Sequence, residues 1–253
     1  MRGISKPWPP GDVAPDGHAP SSLHDAEAAY LAALPAAANQ VAFARTEFDR
    51  LDKWKLRVEM YREQRSICVY CERRIAEGHP TPRIEHWHAL SLGPRFALHW
   101  RNLYLCCSSL ETCDSAKGDR PLRWDDADPH LPWPVDLRYE DVVGFTSLGE
   151  IYVRSDVALS EATRRALELA IADCADGARV RRGIVKLNHH ALVAARAAAL
   201  DSERTRLERD FEDQTASMDE RQHRANDMLA QNQFPPFVSI RVAWLRKRLG
   251  RGR

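Results

Sequence analysis

The stretch that decides the fold reads Cys68-x2-Cys71, then Ile84-Glu85-His86-Trp87, then Trp100-Arg101-Asn102-Leu103, then Cys107-x5-Cys113-Asp114-x2-Lys117. Two cysteine pairs can close a tetrahedron of thiolates around one zinc ion. Between and beside them lie a histidine next to a carboxylate, an asparagine, a second carboxylate and a lysine. This short stretch therefore offers a zinc clip, a general base, hard metal ligands and a cation, which is the set that a small finger with a hydrolytic metal ion needs.

The second cysteine pair is ambiguous, because Cys106 and Cys107 are adjacent and only one of them should bind zinc together with Cys113. Adjacent side chains of an extended segment point to opposite faces, so we expect the other thiol to face the core. The alternative is a set of buried apolar cysteines without a metal ion. Cys174 stands on the apolar face of a predicted helix and is interpreted as a core residue.

The dipeptide Glu85-His86 has the chemistry of a hydrolytic site. Phosphodiester hydrolysis needs a water that is deprotonated near neutral pH, and imidazole is the side chain suited to that step. It also needs a divalent cation to neutralise charge on the phosphate, and Glu85 offers a hard oxygen ligand beside the base. His88 would share the face of His86 in a strand, where it is either a phosphate contact or plain surface.

Three polar residues around the second cysteine pair complete the set. Asn102 can hold the loop of the finger and orient the histidine through its side-chain amide, or it can be a capping residue. Asp114 follows Cys113 directly and would enter the metal site from a short helix, unless it is an N-cap without a ligand role. Lys117 lies one turn later on the same face of that helix, where it can meet a phosphate.

The composition describes a globular protein without a global charge. The chain has 253 residues, 44% of them hydrophobic, and a formal net charge of +1, so any contact with nucleic acid must come from local clusters of cations. Six cysteines without a secretory leader argue against an extracellular disulfide framework and favour metal in a reducing cytoplasm. No apolar run approaches the roughly 20 residues that cross a bilayer. We therefore expect a cytoplasmic protein with no membrane partner.

The pattern along the chain predicts an α+β protein, mostly α, in which a helical body surrounds a central finger. We divide it into an N-terminal extended arm and helices (1–64), the finger (65–125), and a helical C-terminal region with a short hairpin (126–253). Apolar periodicity and caps predict a helix from Ser22 to Leu34, a helix from Val41 to Gln64, two strands within Val142–Val153, a helix from Ser160 to Gly177, a long helix from Asn188 to Gln231 and a last helix from Val238 to Leu249.

With these motifs the chain resembles the HNH (ββα-metal) endonuclease superfamily in its zinc-stabilised four-cysteine form. More narrowly, it resembles the PtuB-type nucleases of Septu and retron-associated antiphage defence systems. The resemblance covers the N-terminal half and rests on Met1-Arg2-Gly3-Ile4-Ser5-Lys6, Phe48-Asp49-x-Leu51, Gln64-x3-Cys68-x-Tyr70-Cys71-Glu72-Arg73-Arg74 and Lys117-Gly118-Asp119. The C-terminal half is similar only in its helix-rich character and in Leu187-Asn188 before the long helix.

The resemblance implies a role for each motif residue. His86 would be the general base, Glu85 and Asp114 the ligands of a catalytic Mg²⁺ or Mn²⁺ ion, and Asn102 the residue that steadies the base; we count Lys117 with them. The ligands of a structural zinc ion would be Cys68, Cys71, Cys107 and Cys113. Two positions depart from the family pattern, since Ala89 stands where a proline is expected and Cys106 stands where a serine is commoner.

The leading hypothesis is a metal-dependent endonuclease that hydrolyses phosphodiester bonds of nucleic acid, with DNA as the favoured substrate and RNA, including tRNA, as the alternative. The resemblance implies a PtuA-like ATPase as protein partner and a role as nuclease effector of an antiphage complex. A zinc-finger binding or scaffold module without hydrolytic activity is the alternative from another class, and the intact Glu85, His86 and Asp114 argue against it. A third is a stand-alone restriction-type endonuclease, although no sequence-reading domain is recognisable.

Two features of the C-terminal region stay outside this set. The basic tail from Arg241 to Arg253 could hold phosphates, or its amphipathic helix could dock on the body or on a partner. The pair His189-His190 is interpreted as structural.

Overall fold

The computed structural model describes residues 21–76, 81–123, 125–173, 183–211 and 216–250. Several predictions lie outside these ranges: the N-terminal arm with its motif at residues 1–6, the core position of Cys174, Gly177 as a helix end, and the last three residues of the basic tail. The described chain is mostly α-helical and has two small antiparallel sheets, which confirms the α+β, mostly α class.

Helices account for most of the regular structure. The α-helices are α1 (Ser21–Ala33), α2 (Gln40–Arg50), α3 (Lys53–Gln64), α4 (Cys113–Lys117), α5 (Tyr139–Val142), α6 (Glu161–Ile171), α7 (His190–Asp210), α8 (Met218–Ala230) and α9 (Val238–Leu245). Short 3₁₀ helices cover Leu34–Ala36, Pro94–Phe96 and Trp100–Asn102. The strands are β1 (Arg83–His86), β2 (Leu103–Cys106), β3 (Val143–Phe145) and β4 (Ile151–Val153). None of the described helices combines the length and apolar character that crossing a bilayer requires.

Local signals for caps and turns are confirmed in the C-terminal region. The Ser160 side chain accepts a hydrogen bond from the Thr163 N–H and so caps α6, whose buried face includes Leu167 and Ile171. β3 and β4 pair antiparallel within the predicted hairpin, and Gly149 in the turn between them has a φ of 92°. Such a φ favours glycine, which explains why this short turn can close.

Two of the predicted long helices are wrong, because each is divided in two. The predicted helix Val41–Gln64 is interrupted at Leu51, which is extended, and the Asp52 carboxylate then caps α3 by accepting from backbone N–H groups of its first turn. The predicted helix Asn188–Gln231 consists of α7 and α8, and Ser217 opens α8 with a capping box. In both places a cap starts a new helix inside a stretch of helix-forming composition.

The finger is a β-hairpin followed by a short helix. β1 pairs antiparallel with β2, so that Glu85 stands opposite Tyr104 and His86 opposite Leu103. The chain then continues into α4, which begins at Cys113. The elements are short, with four residues in each strand and five in the helix, so contacts outside the hairpin must hold them in place.

The turn at Cys68–Cys71 packs between β2 and the start of α9. The Gln64 side chain donates to the Leu105 carbonyl at 2.9 Å and accepts from the Leu105 N–H at 2.6 Å, which ties the end of α3 to β2. On the other side, the Glu72 carboxylate accepts from the Ser239 N–H at 2.9 Å in the first turn of α9. The cysteine turn is thus fixed by a helix at each side.

The larger apolar core includes residues from all three predicted regions. Leu23 and Met60 come from the first region, Trp87 from the finger, and Leu167 and Ile240 from the last. The finger therefore shares its core with the helical body, and the division at residues 64 and 125 stays a prediction.

Candidate metal centre and active site

Five cysteine thiols converge where the Cys68–Cys71 turn, the end of β2 and the start of α4 meet. Sγ of Cys68 lies 3.7 Å from Sγ of Cys106 and 4.0 Å from Sγ of Cys113, and Sγ of Cys71 lies 3.8 Å from Sγ of Cys107. The ligand atoms of Cys68, Cys106, Cys107 and Cys113 all lie within 4.8 Å of one another. Four thiols at this spacing can hold a metal ion such as zinc.

The expectation that one of the two adjacent thiols turns away to the core is wrong. Cys106 is the last residue of β2, and Cys107 follows in the segment where strand pairing has ended. Side chains alternate only within a regular strand, so both thiols can reach the cluster across this boundary. The predicted ligand set and the mutually close set share Cys68, Cys107 and Cys113, and they differ in whether Cys71 or Cys106 is the fourth member.

The thiols shift each other's ionisation. Burial disfavours the Cys68 thiolate, but hydrogen bonds from Cys106 and Cys113 outweigh burial and hold the pKa of Cys68 well below its usual value. Hydrogen bonds from the surrounding thiols also lower the pKa of Cys107, whereas burial raises the pKa of Cys106. Negative charge thus collects on part of the cluster, which suits a cation because metal ions bind thiolates.

Arg196 of α7 adds positive charge near this cluster. Its guanidinium donates to the Leu187 carbonyl at 2.7 Å, and its Nη1 has no hydrogen-bond partner among the described residues. Burial lowers the pKa of Arg196 to about 10, and electrostatic interactions with Cys71, Glu72 and Cys113 act against that effect. A metal ion with four thiolate ligands keeps a net negative charge, which a buried guanidinium partly neutralises.

Glu85 lies buried where β1 meets α4. Its Oε1 accepts hydrogen bonds from Lys117 Nζ at 2.6 Å and from the Tyr70 hydroxyl at 2.8 Å. Lys117 Nζ also donates to the carbonyl oxygen of His86 at 2.8 Å, so the ammonium group that we expected to meet a phosphate is engaged with β1. The carboxyl groups of Glu85 and Asp114 are hydrogen-bonded to each other.

The two carboxyl groups have opposite pKa shifts. Burial raises the pKa of Glu85 to about 8, while Lys117 acts to lower it and Asp114 adds to the rise. Burial opposes ionisation of Asp114 as well, but hydrogen bonds with Glu85 and Arg83 outweigh it and lower the pKa of Asp114. Arg83 Nη1 lies 3.0 Å from Asp114 Oδ2. Near neutral pH the shared proton therefore resides on Glu85 and the negative charge on Asp114.

Asp114 lies in the first turn of α4, and the N-cap position of this helix belongs to Thr112. Asp114 is therefore not the N-cap of α4, and its role as a metal ligand stays a prediction. Because the Asp114 carboxyl group does not cap the helix, it can interact with Glu85.

His86 closes the same site from the end of β1. Its Nε2 lies 2.9 Å from the carbonyl oxygen of Ala97. A carbonyl only accepts hydrogen bonds, so Nε2 carries the proton and Nδ1 keeps its lone pair in the neutral ring. The Phe48 ring meets the imidazole edge-on, with centroids 4.5 Å apart. Burial lowers the pKa of His86 to about 4, which leaves the base form at neutral pH.

Asn102 holds the loop that follows His86. Its Oδ1 accepts from the His88 N–H at 2.7 Å, and its Nδ2 donates to the carbonyls of His88 at 3.1 Å and Phe96 at 3.0 Å. The Asn102 side chain is fully buried and ends a 3₁₀ helix. These contacts fit the loop-holding alternative, since the Asn102 amide is hydrogen-bonded to the backbone of the loop that follows His86.

A pocket of about 330 Å³ brings the predicted catalytic residues together. Its lining includes Glu85, His86, Asp114 and Lys117, with Arg45 and Asp119 among the residues around them. Two carboxyl groups, a neutral imidazole and a buried ammonium group thus face one cavity. Such a set can bind a divalent cation and can take up a proton from a water molecule.

A second group of possible metal ligands lies at the start of α7. Asp173, His189 and His190 place their ligand atoms within 4.8 Å of one another. His189 also caps α7, because its Nδ1 accepts from the Ala191 N–H at 3.4 Å. The capping contact is in line with the structural interpretation of His189.

No protein-family model matches the chain, and no curated protein matches it either. The resemblance described from the sequence therefore stays a prediction that rests on the motif residues and their placement.

Some groups at the site had no role in the sequence analysis. Arg83 precedes Glu85 by two residues in β1 and so shares its face, which is a signal that the period of a strand provides. The carbonyl of Ala97 that fixes the His86 tautomer leaves no trace in the sequence. Arg196 of α7 interacts electrostatically with Cys71 and Cys113, and only the tertiary fold brings it near them.

Proposed function

We propose that the chain is a metal-dependent endonuclease of the HNH type that hydrolyses phosphodiester bonds of nucleic acid. The observation that carries the proposal is the single pocket shared by His86, Glu85 and Asp114. A neutral imidazole with a fixed tautomer stands there beside two carboxyl groups that share a proton. A binding module needs neither a base nor paired carboxyl groups, whereas phosphodiester hydrolysis needs both.

In this proposal the cysteine cluster holds a structural zinc ion. Cys113 begins the helix that carries Asp114, and Cys106 ends the strand that pairs with β1. A zinc ion bound by Cys68, Cys107, Cys113 and one further cysteine would join the cysteine turn to both elements. The four-residue strands and the five-residue helix could not keep their mutual position by themselves, so the metal would set the geometry of the pocket.

Glu85 and Asp114 are the residues that fit a catalytic Mg²⁺ or Mn²⁺ ion. Carboxylate oxygens are the ligands that these ions prefer, and two carboxyl groups in hydrogen-bond contact can give up their shared proton when a cation binds. Such an ion supplies positive charge to the phosphate and to the leaving oxygen. Lys117 donates a hydrogen bond to Glu85 and holds its carboxyl group in place, and its ammonium group would pair with the carboxylate once the proton is released.

His86 is the general base in this proposal. The hydrogen bond from Nε2–H to the Ala97 carbonyl leaves Nδ1 to take the proton of the attacking water. Burial keeps the ring uncharged before the reaction, and the negative charge of Asp114 favours the imidazolium that forms. Asn102 keeps the following loop in place, so the ring does not have to be ordered during the reaction.

The substrate and the partner extend the same proposal. We favour DNA over RNA and tRNA, and a PtuA-like ATPase as the partner of a cytoplasmic antiphage complex. The net charge of only +1 supports a partner, because a nuclease without a basic field binds a polyanion weakly on its own. The basic residues of α9 and the segment after it, among them Arg246 and Lys247, are local cations that could add to binding.

A cleavage assay tests the proposal. The zinc-loaded chain is incubated with plasmid DNA and with tRNA in Mg²⁺, Mn²⁺ or EDTA, with and without a PtuA-type ATPase. We expect nicked or shortened products in Mg²⁺ or Mn²⁺ that disappear in EDTA and in Glu85→Gln, while the exposed-site control Glu161→Gln cleaves normally. Binding of nucleic acid without cleavage under every metal condition would support the scaffold alternative instead.

A further inference from the structure

A second pocket, of about 430 Å³, shares the loop that follows His86. The first pocket is lined from this loop by Ala89 and Leu90, and the second by His88 and Leu92. The polar residues that line the second pocket are Gln40, His88, Arg95, Arg123 and His130. The loop that begins directly after the proposed general base therefore also lines a different pocket.

Two imidazole rings form a fixed surface in this second pocket. The rings of His88 and His130 stack with centroids 4.0 Å apart and planes 20° apart. The His88 ring also packs against Phe96 and Trp133, each with centroids 5.4 Å away. The backbone of His88 is held by Asn102, the same residue that orders the loop after His86. The position of the second pocket is thereby coupled to that of the first.

Two buried polar atoms of the pocket residues lack a partner. Nδ1 of His130 and Nε of Arg123 have no hydrogen-bond partner within the described part of the chain. Arg123 is engaged elsewhere through Nη2, which donates to Asp126 Oδ1 at 2.9 Å, so Nε is left as a directed donor. Leaving a buried donor unmatched is costly, and a ligand with acceptor oxygens would remove that cost.

Positively charged side chains act on both imidazoles. Burial lowers the pKa of His88 to about 4, and Lys117 and Arg95 lower it further. Burial likewise lowers the pKa of His130 to about 3, with added effects of His88, Lys117 and Arg123. The positive charges of Lys117, Arg95 and Arg123 thus disfavour protonation of the two rings. An anion would relieve this repulsion.

We infer that this pocket is a second phosphate subsite, which holds a phosphate of the nucleic-acid strand next to the one that is cleaved. Arg123 Nε and His130 would donate to its oxygens, and Arg95 would supply charge from the exposed rim. The Arg95 guanidinium lies 4.4 Å from the Phe96 ring centroid, so its charge is held over the pocket wall. The assignment to a strand rests on the proposed nuclease function, whereas the affinity of the pocket for phosphate does not.

The first test measures binding of inorganic phosphate to the zinc-loaded full chain without added Mg²⁺ or Mn²⁺, followed by the NMR signals of the histidine rings. We expect a saturable shift of the His130 signal, and an affinity about tenfold lower in Arg123→Gln, because one charge-assisted hydrogen bond is lost. Arg204→Gln, an exposed substitution on α7, should bind as the unchanged chain does. A His130 signal that does not respond to phosphate would overturn the inference.

The second test separates this subsite from the cleavage site. In steady-state cleavage of a long strand, Arg123→Gln should raise KM about tenfold and lower kcat much less. On a strand too short to reach the second pocket, Arg123→Gln and the unchanged chain should have the same KM. Equal KM increases on both strands would contradict the subsite. Phosphate binding at His130 without cleavage of any nucleic acid would instead contradict the nuclease proposal and leave the anion pocket standing.

Discussion

The ammonium group of Lys117 lies 2.6 Å from Oε1 of Glu85, and both side chains are almost fully buried. One contact therefore joins α4 to β1 at the floor of the candidate active site. A buried ion pair adds little net stability, because removal of both charges from water offsets their attraction. The pair instead fixes the position of the Glu85 carboxyl group. It also sets the net charge that this side of the pocket offers to a bound cation.

Lys117→Met should destabilise the fold, because it leaves the Glu85 carboxyl group buried without its cation. We expect a loss of about 3 kcal/mol or more in the free energy of unfolding above pH 8, and a smaller loss at pH 6, where Glu85 can take up a proton. Chemical denaturation at the two pH values measures this, with the exposed substitution Lys55→Met as the matched control. Equal losses in Lys117→Met and Lys55→Met would show that the pair has no such role.

The raised pKa of Glu85 also predicts a pH dependence of stability. The pKa is about 8 in the folded chain against an ordinary value of 4.5, so the folded state holds this proton more tightly than the unfolded state. The contribution of Glu85 is fully present below the unfolded pKa and is lost as the pH rises through the folded pKa. Glu85→Gln has no proton to lose, so its free energy of unfolding should fall less than that of the unchanged chain from about pH 5 to about pH 8. Parallel pH profiles would contradict this assignment.

The cysteine cluster predicts a distinct pattern of metal content. Cys68→Ser should lose zinc and unfold at a lower temperature, since structural zinc binding contributes roughly 10 kcal/mol or more in small fingers. Because zinc takes four ligands, only one of Cys71→Ser and Cys106→Ser should lose the metal. Metal content per chain and the absorption of the cobalt-substituted protein measure this. Zinc retained in Cys68→Ser would remove the structural role of the cluster.

Asn102→Ala should affect the loop and leave the zinc clip intact. Three hydrogen bonds to the backbone of His88 and Phe96 are lost, and we expect a cost of about 1–3 kcal/mol in the free energy of unfolding. Cleavage should slow at an unchanged zinc content, because His86 is no longer held in place. Asn226→Ala on the exposed face of α8 is the control. A normal cleavage rate in Asn102→Ala would show that the loop needs no such support.

The sequence predicts the finger well where the signal is local. Ligand spacing places Cys68 and Cys113 at one cluster, and the adjacency of Glu85 to His86 puts both at one pocket. The sequence analysis failed where a cap competes with continuous periodicity, as at Asp52 and Ser217. Each of these residues caps a new helix within a stretch of good helix formers, and the cap determines where that helix begins.

Other parts of the site depend on tertiary register that a single sequence does not specify. Lys117 was expected to meet a phosphate, yet the approach of α4 to β1 places its ammonium group against Glu85. One of Cys106 and Cys107 was expected to face the core, yet the strand ends at Cys106 and both thiols join the cluster. The face on which a side chain emerges at the end of an element cannot be taken from alternation alone.

The most direct measurement of the central claim is the cleavage rate of His86→Ala in Mg²⁺ or Mn²⁺, compared with that of the exposed control His24→Ala. If His86 is the general base, the rate falls by a factor of about 100 to 10,000, while zinc content and melting temperature stay those of the unchanged chain. His24→Ala should cleave normally. Cleavage by His86→Ala at the unchanged rate would contradict the account.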